Sequence, residues 1–499
     1  MGIIEKDAFR TMIISYLGII LGYLNKGILF VLVLTTEQIG LINLLISLGF
    51  LFAQFANLGT VYSIWKFFPF FGNKEKKHHG FLPFILIIVL FGIIVVSSFT
   101  FYFRESIESM YLEKSKLFVH YFIWIFPVGI SYVFFLTIDM FLRSLYKNMF
   151  SIFLNEIFLR LTLTVLLFLY WFKFISFDSL IIFHTISYSL IVLILILYLI
   201  RIKELNFSIN SITISQKFQK IILKFSLLNY VNTLGVILIT SLDLIMIAKM
   251  IGLKAAGIYS TLMFVVSAIQ IPYKSVLRIT SPLISEFWKE RKVFKIKQLY
   301  VRVSSILLVL TFGVFILIWN NIIFLFSFLP NEFTEGIYIF LFLMLGRLVD
   351  VYFGINGAIF ITSKKYKNDI YFTVFLITTI FVLNLWLIPL IGTVGAAIST
   401  SIALILYNLG RMFYVLYFYK IHPFEVNQLK VFLLGMLVLI LGEVIHLYAE
   451  TGWLSFFYQT IIFFIFFVLP VYKFRLNEDV VAYFEKGTAF VFKKLKLKS

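Results

Sequence analysis

Cationic side chains recur at helical spacing inside one strongly apolar segment of this 499-residue chain. Gln270, Lys274 and Arg278 are four residues apart, so on a helix they share one face. Such donors hold phosphate or diphosphate groups by charge-assisted hydrogen bonds. Lys66 closes another apolar segment, and it would join this face if both segments line one cavity. The alternative interpretation is that the three cations only anchor their helices by reaching to the membrane interface.

Two further charges of opposite sign lie deeper inside apolar segments. Lys26 precedes Gly40 by fourteen residues, and Asp243 precedes Gly257 by the same distance, so the two charges hold equivalent positions 217 residues apart. Charged side chains within a membrane are costly unless they are paired or reach a wet cavity. We therefore predict that Lys26 and Asp243 pair and latch a gate. The alternative is that each meets a different neighbour or water.

Four other polar residues inside the apolar segments could serve either to bind an ion or substrate or to hold the helices together. Arg347 and Asp350 are three residues apart and can neutralise each other on one helix, which favours a structural role over an ion or substrate site. Asn57 and Asn232 are candidate donors to sugar hydroxyls, but polar residues also join membrane helices to one another.

The elements that position these residues are about fourteen apolar segments, each near the roughly 20 residues that cross a bilayer as a helix. The chain is 61% hydrophobic and only 13% charged, well below the roughly 25% charged residues of soluble domains. Its mean hydropathy is +1.01. This predicts an all-α polytopic membrane protein with spans 1 to 14 at approximately 11–34, 40–64, 81–103, 118–142, 150–172, 179–201, 224–248, 255–279, 301–325, 336–361, 369–391, 394–417, 429–449 and 454–473.

The net charge of +19 is spread over alternate loops and the two tails. It is not gathered in one surface of the kind that binds nucleic acid. Most of the 43 lysines and arginines fall in alternate loops and in both tails, which by the positive-inside rule places both termini in the cytoplasm. No nucleic-acid partner is needed to explain this charge. The chain has no cysteine, so disulfides and thiolate metal sites are excluded, and its six histidines lack ligand spacing. No cofactor is predicted.

The sequence also contains an internal repeat. Besides the equivalence of Lys26 and Asp243, the tripeptide at 146–148 (YKN) returns at 366–368, an offset of 220. Internal repeats are typical of transporters. We predict three regions: a six-helix bundle at 1–215, a second in the same orientation at 216–420, and two extra helices with a basic cytoplasmic tail at 421–499.

Three stretches resemble motifs of the multidrug/oligosaccharidyl-lipid/polysaccharide exporter superfamily, and within it the Wzx-like polysaccharide-transport flippases. The first is residues 34–40 (LTTEQIG), followed by 65–69 (WKFFP). The second is Asp243 with 257–259 (GIY) and 281–285 (SPLIS). The third is 385–400 (LWLIPLIGTVGAAIST), which resembles the family's turn between spans 11 and 12.

This resemblance implies a fold and a function. It implies two bundles in a V around a cavity lined mainly by spans 1, 2, 7 and 8, with transport by alternating access. The expected protein is a multi-pass flippase of the bacterial cytoplasmic membrane, not an enzyme. It would translocate undecaprenyl-diphosphate-linked oligosaccharide for O-antigen, capsule or exopolysaccharide synthesis, beside other polysaccharide-assembly proteins. Coupling to H⁺ or Na⁺ is left open. Span 1 lacks a dense set of arginines, which disfavours the branch that carries peptidoglycan precursors.

Two other functions compete with this interpretation. An ion-coupled exporter of cationic drugs from the same superfamily would need carboxylates and aromatic rings in its cavity, whereas Lys26, Lys66, Lys274 and Arg278 favour an anionic substrate. A membrane oligosaccharide polymerase or ligase usually needs a sizeable external loop or domain, and the longest predicted external loop, residues 104–116, is short.

Overall fold

The computed structural model describes residues 3–448, 452–482 and 485, and a few side chains within helices, including those of residues 231–233, lie outside that description. Within the described residues all regular structure is helical and no strand occurs. The predicted all-α class is therefore confirmed. Its physical cause is that a helix satisfies every backbone N–H and C=O within one segment, which hydrocarbon surroundings require.

The first seven predicted spans each coincide with a helix or a run of helices. Span 1 is helix Ile3–Tyr23, a π-helical turn at Leu24–Leu29 and the short helix Phe30–Val33. Span 2 is Thr36–Ala56, which continues after Gly59 as Thr60–Phe71. Spans 3 to 7 are Phe81–Tyr102, Lys116–Ser144, Met149–Trp171, Phe177–Arg201 and Gln216–Met250.

Two of the remaining spans are broken. Span 8 consists of Leu253–Ser267 and Gln270–Lys289, bent by 47° at the break, and span 10 of Asn331–Tyr352 and Ile355–Thr362, bent by 45°. Helix Asp369–Tyr419 covers both span 11 and span 12. The other spans are Val293–Asn320, Val426–Tyr448 and Trp453–Lys473.

By length and apolarity, ten helices in the described part of the chain could cross a membrane, or up to twelve if each bent pair counts as one span. Asp369–Tyr419, one of the ten, is 51 residues long and covers two predicted spans. Gln216–Met250 covers a further one. Each of the fourteen predicted spans therefore lies on a helix.

Two motifs singled out in the sequence have clear local causes. The Thr35 hydroxyl accepts a hydrogen bond from the Gln38 amide at 3.2 Å and the Gln38 side chain accepts one from the Thr35 amide at 3.0 Å, a capping box that starts span 2. In residues 385–400, the backbone leaves helical geometry at Ile391 and Gly392. Gly392 has φ +65° with no atom within 4 Å of an added Cβ, so a glycine is needed there for conformation and not for space.

Spans 1 and 5 pack closely through small residues and a neutralised ion pair. Gly18 and Gly22 lie against Glu156 and Arg160, where an added Cβ would be 2.8 Å and 2.7 Å from the nearest side-chain atoms. Arg160 Nη2 is 2.6 Å from Glu156 Oε2, so each charge has a partner inside the bundle. Small residues that allow helices to approach are a common basis of packing in membranes.

The chain divides into two compact units, Met1–Thr261 and Leu262–Ser499. This division falls within the first helix of span 8 and not at the predicted repeat boundary, 215/216. The reason is that span 7 packs on span 2: a Cβ on Gly59 would be 2.1 Å from the Ser226 carbonyl oxygen, and the Ser63 and Ser226 hydroxyls are 2.7 Å apart. The three predicted regions describe a repeat in sequence, and that repeat stays a prediction.

Candidate functional site

The predicted basic stripe lies on the second half of span 8, in the second unit. Lys274 and Arg278 are exposed, whereas Thr280 and Ile284 on the same helix are buried. The helix therefore has one packed face and one open cationic face. Gln270, the third member of the stripe, is half-buried, and its Nε2 donates to Asp350 Oδ2 at 3.3 Å. The two cations thus remain available to an anion, while Gln270 is engaged by the protein.

Lys66 lies in the first unit, where aromatic rings hold its charge. Its Nζ is 3.8 Å from the centre of the Phe225 ring and 5.4 Å from that of Phe67. A cation over an aromatic face is stabilised without losing its charge. Lys66 is exposed and stays available to a substrate.

Of the two asparagines predicted to contact sugars, the structure describes the side chain of only one. Asn57 is fully buried, its Oδ1 accepts from the Gly59 amide at 2.7 Å, and its Nδ2 donates to the Ala53 carbonyl at 3.3 Å. Its side chain therefore ends the first helix of span 2 in the described structure, and its contact with a substrate stays a prediction. The side chain of Asn232 lies outside the described residues.

Lys26 lies in the π-helical turn of span 1, a kind of helix irregularity that is frequent at functional sites. Its Nζ donates to Asn43 Oδ1 at 3.0 Å, and Asn43 Nδ2 donates to the Ser260 hydroxyl at 3.0 Å. Asp243 is buried and accepts from the Tyr259 hydroxyl at 2.5 Å. Both charges therefore belong to polar networks that reach span 8. The direct ion pair between them stays a prediction.

Spans 2 and 8 meet through residues that are equivalent in the predicted repeat. A Cβ on Gly40 would be 2.0 Å from the Leu253 carbonyl oxygen, and a Cβ on Gly257 would be 1.8 Å from the Thr36 carbonyl oxygen. Thr36 and Leu253 are themselves 217 residues apart, as are the bonded pair Asn43 and Ser260. Thr36 lies four residues before Gly40, and Leu253 lies four residues before Gly257. Each glycine therefore packs on the residue that holds this position in the other helix. Such reciprocity is what a two-fold axis through a contact produces.

Arg347 and Asp350 lie in the second unit, just before the break in span 10. Arg347 Nη1 is 3.4 Å from Asp350 Oδ2, and Asn408 Nδ2 donates to Asp350 Oδ1 at 3.1 Å. Arg347 thus offsets the charge of the carboxylate, and Asn408 and Gln270 donate hydrogen bonds to it. At the break itself, the Tyr273 hydroxyl donates to the Gly354 carbonyl at 3.1 Å. The breaks of spans 8 and 10 are therefore joined by polar contacts, an arrangement that transporters use at binding sites.

The sequence interpretation missed Asn43, Ser260 and Asn408 as partners of the predicted charges. Asn43 and Ser260 could have been found by extending the 217-residue offset beyond Lys26 and Gly40. Asn408 has no such signal, because only the fold brings span 12 to Asp350.

Comparison with known proteins defines the fold more closely than the sequence does. No protein-family model matches the sequence, and no curated protein is similar to it in sequence. In structure, the chain resembles the lipid II flippase MurJ in an inward closed conformation, with a TM-score of 0.73 and 16% identity over 94% of this chain and 99% of that one.

Two transporters are also similar in structure. One is an inward-facing multidrug resistance MATE family transporter of the MOP superfamily, with a TM-score of 0.65 and 14% identity over 80% of this chain and 94% of that one. The other is a MOP superfamily transporter from Pyrococcus furiosus, with a TM-score of 0.51 and 14% identity over 83% and 96%. The printed descriptions of these three neighbours are of transporters or a flippase. The chain shares the fold of these solved structures, two of which are described as members of the MOP superfamily, the superfamily that its motifs resemble.

Proposed function

We propose that the chain is a flippase that translocates undecaprenyl-diphosphate-linked oligosaccharide across the bacterial cytoplasmic membrane by alternating access. The observation that carries the proposal is the open cationic face of Lys274 and Arg278 on a broken span. A diphosphate carries several negative charges, and cationic donors at one helix face bind it by charge-assisted hydrogen bonds. A small cationic drug would be repelled by the same face.

An apolar groove in the second unit supports a substrate with a lipid tail. The groove has a volume of about 960 Å³ and is lined by side chains from spans 9, 10, 12 and 13, including Phe312, Phe315, Trp319, Leu345 and Phe432. Burial of apolar surface stabilises binding by roughly 25 cal/mol per Å². An isoprenoid chain would fill such a groove while its diphosphate stayed at a polar face.

The proposal is tested by reconstitution of the purified chain into liposomes. We expect a fluorescent undecaprenyl-diphosphate-linked oligosaccharide to cross the bilayer faster than in protein-free liposomes. Lipid II and a cationic dye serve as the competing substrates, each assayed with and without H⁺ and Na⁺ gradients. Movement of the dye alone would replace the proposal by its alternative, an ion-coupled multidrug exporter, which the structural likeness to a MATE family transporter supports.

We further propose that Lys26 and Asp243 take part in the outer gate of this flippase. Removal of one member of a buried charge pair leaves the other uncompensated and costs roughly 3–5 kcal/mol, and about 1.4 kcal/mol already changes a population tenfold. Lys26→Ala and Asp243→Ala should each slow transport, and the exchange Lys26→Asp with Asp243→Lys should restore part of it. A double-mutant cycle measures the coupling. Purely additive losses would mean that each charge acts only through its own network.

A further inference from the structure

The loop between spans 6 and 7, residues 202–215, is tied to the first unit at both ends. At its start, Lys74 Nζ donates to the Ile202 carbonyl at 3.2 Å. At its end, the Thr213 amide donates to the His79 carbonyl at 3.1 Å, and the Thr213 hydroxyl is 2.8 Å from His79 Nδ1. This loop joins the two predicted repeats, yet it lies folded against the loop between spans 2 and 3.

One buried carboxylate holds three loops together. Glu204 Oε2 is 2.8 Å from His78 Nε2, and its Oε1 is 3.1 Å from both Lys74 Nζ and Lys147 Nζ. His78 and Lys74 come from the loop between spans 2 and 3, and Lys147 comes from the loop between spans 4 and 5. A buried charge is stable only when it is paired and hydrogen-bonded. We call these four residues, Lys74, His78, Lys147 and Glu204, the loop clamp.

The electrostatics of the loop clamp favour the charged carboxylate. Burial alone would raise the pKa of Glu204, but hydrogen bonds from His78, Lys74 and Lys147 and the charge of Lys147 outweigh it, so the pKa lies below the ordinary glutamate value. His78 also packs against aromatic rings, with ring centres 5.1 Å from Phe68 and 6.1 Å from Phe141. The loop clamp is thus fixed to the ends of spans 2 and 4.

The turn that carries His78 has a strained backbone. Lys77, His78 and His79 have φ values of 49°, 52° and 53°, and Gly80 follows with φ 68°. Left-handed conformations are unfavourable for residues with a Cβ, and they persist where the surrounding structure forces them, often in switch regions. A Cβ on Gly80 would be 2.6 Å from Ile212 Cα, so the loop between spans 6 and 7 presses directly on this turn.

We propose that the loop clamp is a conformational switch, which holds the loop between the repeats on the first unit and opens when span 7 moves during transport. The strained turn is stable only while Glu204 and Thr213 remain in place, so release of the loop lets the turn relax. This makes a two-state element of the kind that switches require. The clamp concerns the motion of the chain and not the identity of its substrate, although its role in turnover rests on the proposed transport function.

Hydrogen exchange of the full-length protein in lipid nanodiscs tests this proposal. Glu204→Gln keeps the side-chain shape but removes the charge, and we expect exchange of the peptide covering residues 202–215 to accelerate about tenfold or more. Lys77→Gly removes backbone strain at an exposed residue and should slow exchange in the same peptide. The matched control is Glu290→Gln, an exposed acid whose Oε2 is 2.7 Å from Lys292 Nζ. It should leave residues 202–215 unchanged.

Helix Phe177–Arg201 reports on the whole unit in the same spectra. If Glu204→Gln accelerates exchange in that helix as well, its effect is global, and Lys147→Met, which removes only one of the three donors, is measured next. Faster exchange limited to residues 202–215 in Lys147→Met shows a local effect. Unchanged exchange of residues 202–215 in both Glu204→Gln and Lys147→Met would overturn the clamp. In liposomes that flip the substrate, Lys77→Gly should slow turnover. Exchange that follows the prediction in a protein without flippase activity would reject the proposed function and leave the clamp intact.

Discussion

At the scale of single residues, some charged side chains within the spans are paired or hydrogen-bonded by the protein, whereas others are open on one face. Arg160 is paired with Glu156, and Asp350 has three donors around it. Lys274 and Arg278 instead expose their charge. Because a charge within a membrane is costly unless it meets a partner or water, we expect this face to lie either in a wet cavity or at the membrane interface.

Replacement of both cations tests this surface. Lys274→Ala with Arg278→Ala should lower transport of the diphosphate-linked substrate at least tenfold, since each charge-assisted hydrogen bond contributes about 1.5–3 kcal/mol. Protein level and fold should be preserved. The control is Lys289→Ala with Lys292→Ala, near the end of the same helix and in the next loop. An equal loss in both double variants would show that the cations act as topology anchors.

The acid sensitivity of the loop clamp follows from the lowered pKa of Glu204. A carboxyl group whose pKa is lower in the folded state stabilises the fold above its unfolded pKa, and this contribution is lost as the pH falls through the folded pKa. The thermal midpoint of the native protein should therefore exceed that of Glu204→Gln at neutral pH. The difference should shrink below about pH 4.5. A difference that grows on acidification would contradict the assignment of the charge.

The charged residues stand out directly in the sequence, whereas Asn43 and Ser260 could have been found only through the 217-residue offset. Lys26 and Asp243 stand out because charges are rare in apolar segments, whereas Asn43, Tyr259 and Ser260 are ordinary polar residues whose roles depend on helix packing. Asn57 shows the converse: its amide is used by the turn at Gly59, and no periodicity distinguishes such a role from sugar binding.

At the scale of elements, the crossing of spans 2 and 8 depends on two glycines. An alanine at 257 would place its Cβ 1.8 Å from the Thr36 carbonyl oxygen, and a backbone atom cannot move aside cheaply. Gly257→Ala should therefore separate the two helices and raise the labelling of a cysteine at Asn43 by a water-soluble maleimide. Gly27→Ala is the control, because its Cβ would meet only Tyr23 Cδ1 at 4.0 Å. Equal labelling in both variants would show that the crossing tolerates a methyl group.

Helix positions were predictable because hydropathy records membrane burial directly, and the fourteen segments all lie on helices. The break in span 10 was not predicted. At Gly354 a Cβ would be 2.2 Å from Tyr273 Cε2, so the close approach of two helices defines the site of the break, and that approach is a tertiary property. The turn at Gly392 was predicted, because residues 385–400 resemble the family's turn between spans 11 and 12.

At the scale of the whole molecule, the compact units and the predicted repeats divide the chain at different places. Span 7 belongs to the second predicted repeat but packs within the first unit. A boundary drawn from sequence equivalence records the relation between segments, whereas packing depends on which side chains meet. The relation between segments and their packing are independent properties. Only the relation between segments can be read from a repeat offset in the sequence.

The topology predicted from charge is tested with single cysteines in a chain that has none. With both termini in the cytoplasm, a cysteine at Glu108 or Glu332 should react with an impermeant maleimide added to intact cells, and a cysteine at Lys292 should react only after lysis. The positive-inside rule is the reason for this expectation. Labelling at Lys292 but not at Glu108 in intact cells would reverse the orientation.

The reciprocal packing of Gly40 and Gly257 also bears on how such a molecule arises. If the two repeats descend from one ancestral segment, a single glycine in that segment supplied both halves of the contact, because equivalent residues meet each other across the axis. Duplication would then join two copies of a segment whose surface was already self-complementary. After fusion each copy is free to change wherever it faces something different, but a larger side chain at either glycine collides with the backbone of the opposite span. Divergence is therefore coupled at this crossing, while Lys26 and Asp243, at equivalent positions nearby, were free to acquire opposite charges.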